Sequence, residues 1–534
     1  MRIHFYFRFL ALFCAAAVIL TSCKAISEDS ADLPDSIASV SEITSSGEIL
    51  SETLGNTYTS AEITTSSEAK TEADTETVKP KTEESLSDTQ SEEKTDISEE
   101  ITNTKSETTA SAAVKTEKIP ETTTQKTETT TEKGTETTAL TLQFESPPET
   151  TAIRTANNTY AANSYNALNF SEQKGFWITY LEYGAILKNK SASSFKKSIG
   201  KYFDNIAGLG FNTVYVQVRA FGDAYYDSEL YPSGEQFNGT IGTENRFDAL
   251  QVMIDCAHER GMSLHAWVNP MRLMTAAQIK NIDGRYPIKK WYDNSSLNGK
   301  YIVETGGRLY LNPAYGDVTD LIADGISEIV SNYRVDGVQI DDYFYPTTAA
   351  GFDSDAYAAS GTELSLGNWR MANVNKMVKK LYRAAHSAND TVVFGISPQG
   401  CVENNYNELY ADVRTWCAES GYCDYILPQV YFGFENAALP YGDVISLWSG
   451  MVKNPDVQLV IGLAGYKIGA ADSYAGKSGK NEWLDNSDII SRQMTLAKTL
   501  GNYGGVALYR YDSIFNPTSD VAKQVGKEVD NIRK

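Results

Sequence analysis

From Gly175 onward, eight short runs rich in β-branched and aromatic residues alternate with longer amphipathic stretches, and this alternation constrains the chain more than any other feature. The runs are FWITYLEY (176–183), TVYVQVRA (213–220), SLHAWVNP (263–270), GVQIDDYF (337–344), VVFGISP (392–398), YILPQVYF (425–432), QLVIGLAG (458–465) and GVALYRYD (505–512). Between the first two, Phe195, Ile199, Tyr202, Phe203 and Ile206 recur at helical spacing, and Gly208 and Gly210 supply a stop. Eight βα units in roughly 365 residues predict an α/β (β/α)8 TIM barrel with enlarged loops. An open doubly wound sheet would carry a Gly-rich phosphate turn after its first strand, and none is present. Function is therefore expected at the C-terminal strand ends, with the long connection from about Met271 to Tyr315, which contains Trp291, walling the cleft.

The barrel begins only after a segment that cannot form a core. Residues 24–149 carry 28 acidic and 10 basic side chains, no Trp, and only Tyr58 and Phe144 as aromatics, whereas all seven Trp follow Gly175. Low hydrophobicity and high charge predict a disordered tether over 23–165, leaving 166–534 as the catalytic domain. As a flexible coil the tether spans roughly 65 Å, and fully stretched on the order of 480 Å. It accounts for most of the net charge of −22, so the barrel is only mildly acidic and no basic stripe suggests nucleic acid.

Ahead of the tether, Arg2 and Arg8 precede an apolar stretch, Phe9 to Leu20, that is short for a bilayer span. Residues 1–22 read as a signal peptide. The quartet Leu20-Thr21-Ser22-Cys23 resembles the lipobox of bacterial lipoproteins, which predicts lipidation at Cys23 and an extracytoplasmic, membrane-anchored location. Cys256, Cys401, Cys417 and Cys423 remain; they are too scattered for a disulfide framework, and plain buried thiols are expected. With four His and no HExxH or paired CxxC, neither a metal site nor a cofactor is expected, and the oligomeric state is not legible.

Strand parity selects the residues that face the lumen. Val214, Val216 and Val218 suit the helix side, so Tyr215, Gln217 and Arg219 point inward; the same logic turns His265, Trp267, Asn269, Gln339, Asp341, Gln429, Tyr431, Tyr509 and Tyr511 inward. This lining is polar and aromatic where barrel interiors are usually branched aliphatics. Asp341, ending the fourth run, lies where a barrel glycosidase places a catalytic carboxylate. Glycoside hydrolysis normally takes two carboxyl groups, one of them protonated. Asp342, of opposite parity and next on the same strand, is poorly placed for that pair and suits orienting a loop or bonding Arg219, though at a strand end it can bend over the mouth. The partner acid is sought among Asp342, Asp223 in the loop after the second run, and Glu182 at the end of the first. The latter two also read as a turn-former or a solvated loop acid. Aromatics near strand ends, among them Tyr225, Tyr226, Tyr343, Phe344, Tyr345 and Phe432, suit stacking on sugar faces as well as packing.

Six blocks in order, VYVQVRAFGDAYYDSELYPSG, LHAWVNPMRL, RLYLNPAYGDV, VDGVQIDDYFYP, VFGISPQG and DYILPQVYFG, resemble the glycoside hydrolase-like 10 family of bacterial lipoproteins from about 175 to 470. The resemblance implies a barrel whose cleft is built from Arg219, Asp223, His265, Asn269, Asn312, Asp341, Asp342, Gln429 and Tyr431. It also implies a substrate class, because a family member resembles a cell-wall glycosidase cutting peptidoglycan glycan stripped of peptides. The block around Asp341 has the outline of the chitinase-type DxxDxDxE motif, with Asp336 and Asp341 in register but Gln339 and Tyr343 replacing its second Asp and final Glu. A straightforward chitinase is thereby disfavoured, while assistance by a substrate 2-acetamido group, oriented by Asp341 or Asp342, stays open. The expected function is an O-glycosidase for peptidoglycan glycan. Its alternatives are a glycosidase for another extracellular polysaccharide and a non-catalytic glycan-binding lipoprotein.

Overall fold

A computed structural model describes residues 164–534; the signal segment 1–22, Cys23 and all but the end of the 23–165 tether lie outside the described residues. In chain order the strands are β1 (Gln173–Ile178), β2 (Thr213–Arg219), β3 (Ser263–Val268), β4 (Ile302–Thr305), β5 (Arg308–Leu311), β6 (Gly337–Ile340), β7 (Val393–Ile396), β8 (Tyr425–Ile426), β9 (Gln458–Ala464) and β10 (Tyr503–Tyr509). Eight of them close into a parallel barrel in the order β1-β10-β9-β8-β7-β6-β3-β2, while β4 and β5 form a separate antiparallel hairpin. The (β/α)8 barrel predicted from the alternation is the fold observed.

The outer layer follows from the apolar stripes. α1 (Tyr180–Ile186) is a short insertion directly after β1, and α2 (Ala192–Ala207) is the first helix of the ring. Ser191 caps α2 by accepting from the Ser194 N–H, and Phe195, Ile199, Phe203 and Ile206 are buried against the sheet. α3 (Ala249–His258), α4 (Gly316–Asn332), α5 (Leu366–Ala388), α6 (Tyr441–Met451), α7 (Ile489–Ala497) and α8 (Ala522–Ile532) continue around the sheet. Among the described residues no helix is long and apolar enough to cross a membrane.

Rings rather than aliphatics fill the lumen. Trp177, Tyr215, Trp267 and Tyr425 pack there with Leu427, Val460 and Ala507. They fit because neighbouring lumenal positions carry no side chain. A Cβ on Gly175 would lie 2.2 Å from the Tyr215 ring, one on Gly337 2.6 Å from His265, and one on Gly395 1.8 Å from Tyr425. Large and small residues thus alternate across strands to reach interior packing density.

The opposite end of the barrel is held by Asp336. Its carboxylate accepts from Tyr165 Oη at 2.5 Å, Leu168 N at 2.6 Å and Leu264 N at 2.8 Å, and lies 2.9 Å from His258 Nε2. Asp336 precedes β6 whereas Asp341 follows it, so these two members of the chitinase-like outline sit at opposite barrel ends, and Asp336 has a structural task. Cys256, Cys401, Cys417 and Cys423 are buried free thiols.

Candidate active site

β6 ends at Ile340, and the next two residues bring both carboxylates to the barrel mouth. Asp341 continues the inward parity of Gln339. Asp342 would face the helices if the strand ran on; because the ladder stops, the backbone turns it into the cleft as well. Asp341 Oδ2 accepts from the Trp267 indole N–H at 3.0 Å and Oδ1 from the Tyr343 N–H at 3.2 Å. Asp342 Oδ1 accepts from Gln429 Nε2 at 3.2 Å, and that amide also donates to the Ser397 carbonyl. Around the pair, Trp177, Thr179, Tyr180, Gln217, Trp267, Arg272, Tyr343, Ser397, Gln429, Tyr431 and Tyr509 line the cleft.

Both carboxyl groups are almost wholly buried, at 3% and 4% exposure. Burial, reinforced by the adjacent Asp342 charge, pushes Asp341 well above the usual carboxylate range; burial also raises Asp342, but the Gln429 and Gln399 side chains bond to its ionised form. Two adjacent buried carboxylates do not both ionise cheaply; the Arg272 charge lowers both, and the stronger upward push falls on Asp341, which favours it as the member that keeps a proton. A neutral acid beside a carboxylate is the division of labour that glycoside hydrolysis uses.

A polar relay supports the floor of the cleft. Trp177 Nε1 donates to Gln339 Oε1 at 2.7 Å, Gln217 Oε1 accepts from the Tyr180 N–H at 3.1 Å, and Gln217 Nε2 donates to Asn269 Oδ1 at 2.9 Å. Trp177 and Tyr431 lie edge-on and tilted to Tyr509, each with ring centroids 5.9 Å from it, so indole and phenol faces surround the acid pair. Among the described residues no group of three His, Cys, Asp or Glu side chains is placed to hold a metal ion.

The other sequence candidates part company here. Trp267, Gln429, Tyr431 and Tyr509 line the cleft as expected, and Asn269 lies one residue-contact beneath it. Arg219 does not face the lumen. A register shift in the β2–β3 ladder pairs Gln217 with Trp267 but Arg219 with Val268, so Val218 is an extra residue and Arg219 is turned to the helix side. There its guanidinium stacks 4.4 Å from the Tyr231 ring, and a Cβ on Gly325 of α4 would touch it. His265 does face inward, but deep: its Nδ1 lies 2.8 Å from Tyr425 Oη, and burial lowers its pKa to about 4, so it is a neutral core imidazole. Asn312 is buried in the wall loop, accepting from the Ala314 N–H at 3.1 Å. Tyr345 packs among Phe352, Tyr410 and Arg370, away from the cleft lining.

Neither alternative acid reaches the cleft. β1 ends at Ile178, and Glu182 lies in α1, where Oε2 accepts from the Thr179 N–H and hydroxyl at 2.9 and 2.6 Å as a capping box. Its Oε1 takes Arg510 Nη1 at 2.7 Å. Asp223 closes its own turn, Oδ1 accepting from the Ala220 and Phe221 N–H groups at 3.0 and 2.8 Å. Burial lifts Asp223 to about 6, so its folded form holds a proton that the unfolded chain has already released near pH 4. Stability should therefore fall as pH rises from about 4 to about 6, by on the order of 3 kcal/mol. Asp223→Asn keeps the turn acceptor without the charge. Urea unfolding across that range should be flatter in the variant; an equally steep slope would contradict the assignment.

Parity and motif reading missed Trp177, Arg272 and Ser397. Trp177 shares its strand face with Gly175 and could have been found by extending the same alternation to the first run. Arg272 follows a strand end, where alternation no longer applies.

With this geometry in hand, sequence comparison adds identity. Residues 172–478 match the sequence model of the family described as glycosyl hydrolase-like 10. The chain belongs to that family. The family range contains every cleft residue except Tyr509. Glycosyl hydrolase DigH of Escherichia coli K12 is 32% identical over 344 residues, covering 60% of this chain and 76% of that protein. Glycosyl hydrolase YngK of Bacillus subtilis is 34% identical over 334 residues, covering 59% and 62%. Among solved structures, the catalytic domain of a β-amylase from Paenibacillus polymyxa aligns with 69% of this chain and 99% of its own at 12% identity and a TM-score of 0.42, a level from which no chemistry follows. As a glycosyl hydrolase-like 10 barrel, the molecule carries its acid pair at the strand-end face that barrel enzymes use for catalysis.

Proposed function

We propose that the protein is an O-glycoside hydrolase that cuts the glycan of peptidoglycan from an anchor in the cell membrane. The observation that carries this reading is the Asp341–Asp342 pair, buried side by side in an aromatic-walled cleft where burial pushes both carboxyl groups up, Asp341 the further. Asp341 donates its proton to the glycosidic oxygen as the C–O bond breaks, and Asp342 faces the positive charge growing on the anomeric carbon. Water then adds to that carbon and returns a proton to Asp341. Cell-wall sugars carry a 2-acetamido group, which Asp342 can orient for internal assistance.

The substrate rests on the family resemblance and on the tether, since Cys23 and a reach of tens of ångströms suit a substrate lying off the membrane. Incubating the purified chain with peptide-stripped glycan, chitin oligomers and a capsular polysaccharide, and measuring released reducing ends, tests the proposal. Cleavage of stripped glycan is expected. Preferential cleavage of the capsular polymer would move the protein to the rival glycosidase reading, and glycan binding without new ends to the non-catalytic one. Cys23→Ser should shift the protein from the membrane fraction to the soluble extracytoplasmic one.

A further inference from the structure

We propose that Arg272 and Arg308 form an acidic-sugar subsite on the cleft wall, which takes the free carboxylate of a lactyl ether on the glycan. The inference rests on the glycosidase reading and deepens it by naming the group that is recognised. Arg272 lines the cleft and is 8% exposed. Its guanidinium carbon lies 4.5 Å from the Phe221 ring centroid and 4.3 Å from that of Tyr343, the residue next to the acid pair. Arg308 stacks on the same Phe221 ring at 4.3 Å. Both are held on paired backbone rather than on loose loops. Arg272 bridges to Tyr310 of β5, Leu273 N donates to Leu309 O at 2.9 Å, and Leu311 N donates to Met271 O at 2.8 Å.

Two guanidiniums sharing one ring repel each other, and the cost is visible in Arg308, which burial and the Arg272 charge together hold below the ordinary arginine value. The Phe221 and Tyr343 faces and, for Arg272, the charges of the nearby Asp341 and Asp342 offset part of this. A carboxylate offsets far more, because the planar guanidinium fork matches its two oxygens. Phe221 is also 4.9 Å from Tyr180, whose ring belongs to the cleft, so an anion held here is carried by the sugar chain lying over the acid pair. In intact peptidoglycan the lactyl group is an amide with the peptide and is neutral. Removing the peptide exposes the carboxylate, so this subsite selects stripped glycan by charge as well as by bulk.

The test compares stripped glycan with the same glycan whose lactyl carboxylates have been converted to methylamides. For the natural chain we expect KM about tenfold higher on the capped glycan with kcat little changed, a difference of about 1.4 kcal/mol. Arg308→Gln should raise KM on the free glycan by a similar factor and leave KM on the capped glycan unmoved, with Arg308→Lys recovering part of the loss. Equal KM on the two glycans in the natural chain overturns the subsite while leaving the glycosidase reading intact, and that comparison needs no variant to fold. An Arg308→Gln loss of the same size on both substrates also overturns it. Failure to cleave either glycan overturns both readings together.

Discussion

Asp341→Asn should lower kcat on stripped glycan by on the order of 10²- to 10⁴-fold, the usual worth of a positioned general acid, with binding of the glycan retained. Asparagine is nearly isosteric and its one oxygen keeps one of the two bonds that Asp341 accepts, from the Trp267 indole on Oδ2 or the Tyr343 N–H on Oδ1, so the cleft is little enlarged. What disappears is the proton and the mutual repulsion with Asp342. The parent should show a bell-shaped rate profile. Its alkaline limb follows loss of the proton from Asp341, whose pKa burial raises, and its acid limb follows protonation of Asp342. In the variant the residual rate should lose its alkaline limb. The acid limb should stay near its parental position, because Asp341 is already neutral when Asp342 ionises and burial rather than Asp341 raises Asp342. Steady-state rates from acid to alkaline pH measure all three effects, and a variant with kcat near the parent value would remove Asp341 from the chemistry.

The second large effect concerns stability. Glu182→Ala leaves Arg510 without its 2.7 Å partner and removes the acceptor of the two bonds that Thr179 donates from its N–H and hydroxyl. Glu182 is buried, but Arg510 is 24% exposed and keeps Asp512 at 3.9 Å, so the cost should fall below the about 3–5 kcal/mol of a fully buried pair while still lowering the urea midpoint. Glu182→Gln, which still accepts from Thr179, should lose less. Below the new midpoint, cleavage per folded molecule should stay within a few-fold of the parent for both variants. A hundredfold loss of kcat in folded Glu182→Gln would instead place this carboxylate in the reaction, against its position in α1.

These two residues mark where sequence reading succeeds and where it stops. Asp341 was legible because it extends a clean alternation, Val338, Gln339, Ile340, whose parity the barrel keeps to the strand end. FWITYLEY has the pattern of an eight-residue strand that carries Glu182 near its end, but Thr179 accepts from Leu181 N and starts a helix, a competition between capping and extension that apolar pattern alone does not settle. Arg219 was misplaced for a different reason. One extra residue at Val218 reverses everything after it, and nothing in VYVQVRA distinguishes a bulged strand from a regular one. YILPQVYF suggested a long strand where the ladder of β8 covers only Tyr425 and Ile426, yet Gln429 and Tyr431 still reach the cleft because the chain beyond stays extended enough to bridge Gly462 at Gln429. The β4–β5 hairpin was hidden inside a connection that was foreseen only as a wall, and with it the partnership of Arg272 and Arg308.

The aromatic packing between the strands has a bearing on how a polymer meets this enzyme. With Trp177, Tyr215, Trp267 and Tyr425 wedged against glycines, the barrel is a blind shaft, and a sugar strand cannot thread down its axis. Whatever the protein holds has to be held at the rim, so the loops and strand ends there, and not the barrel interior, set what can bind.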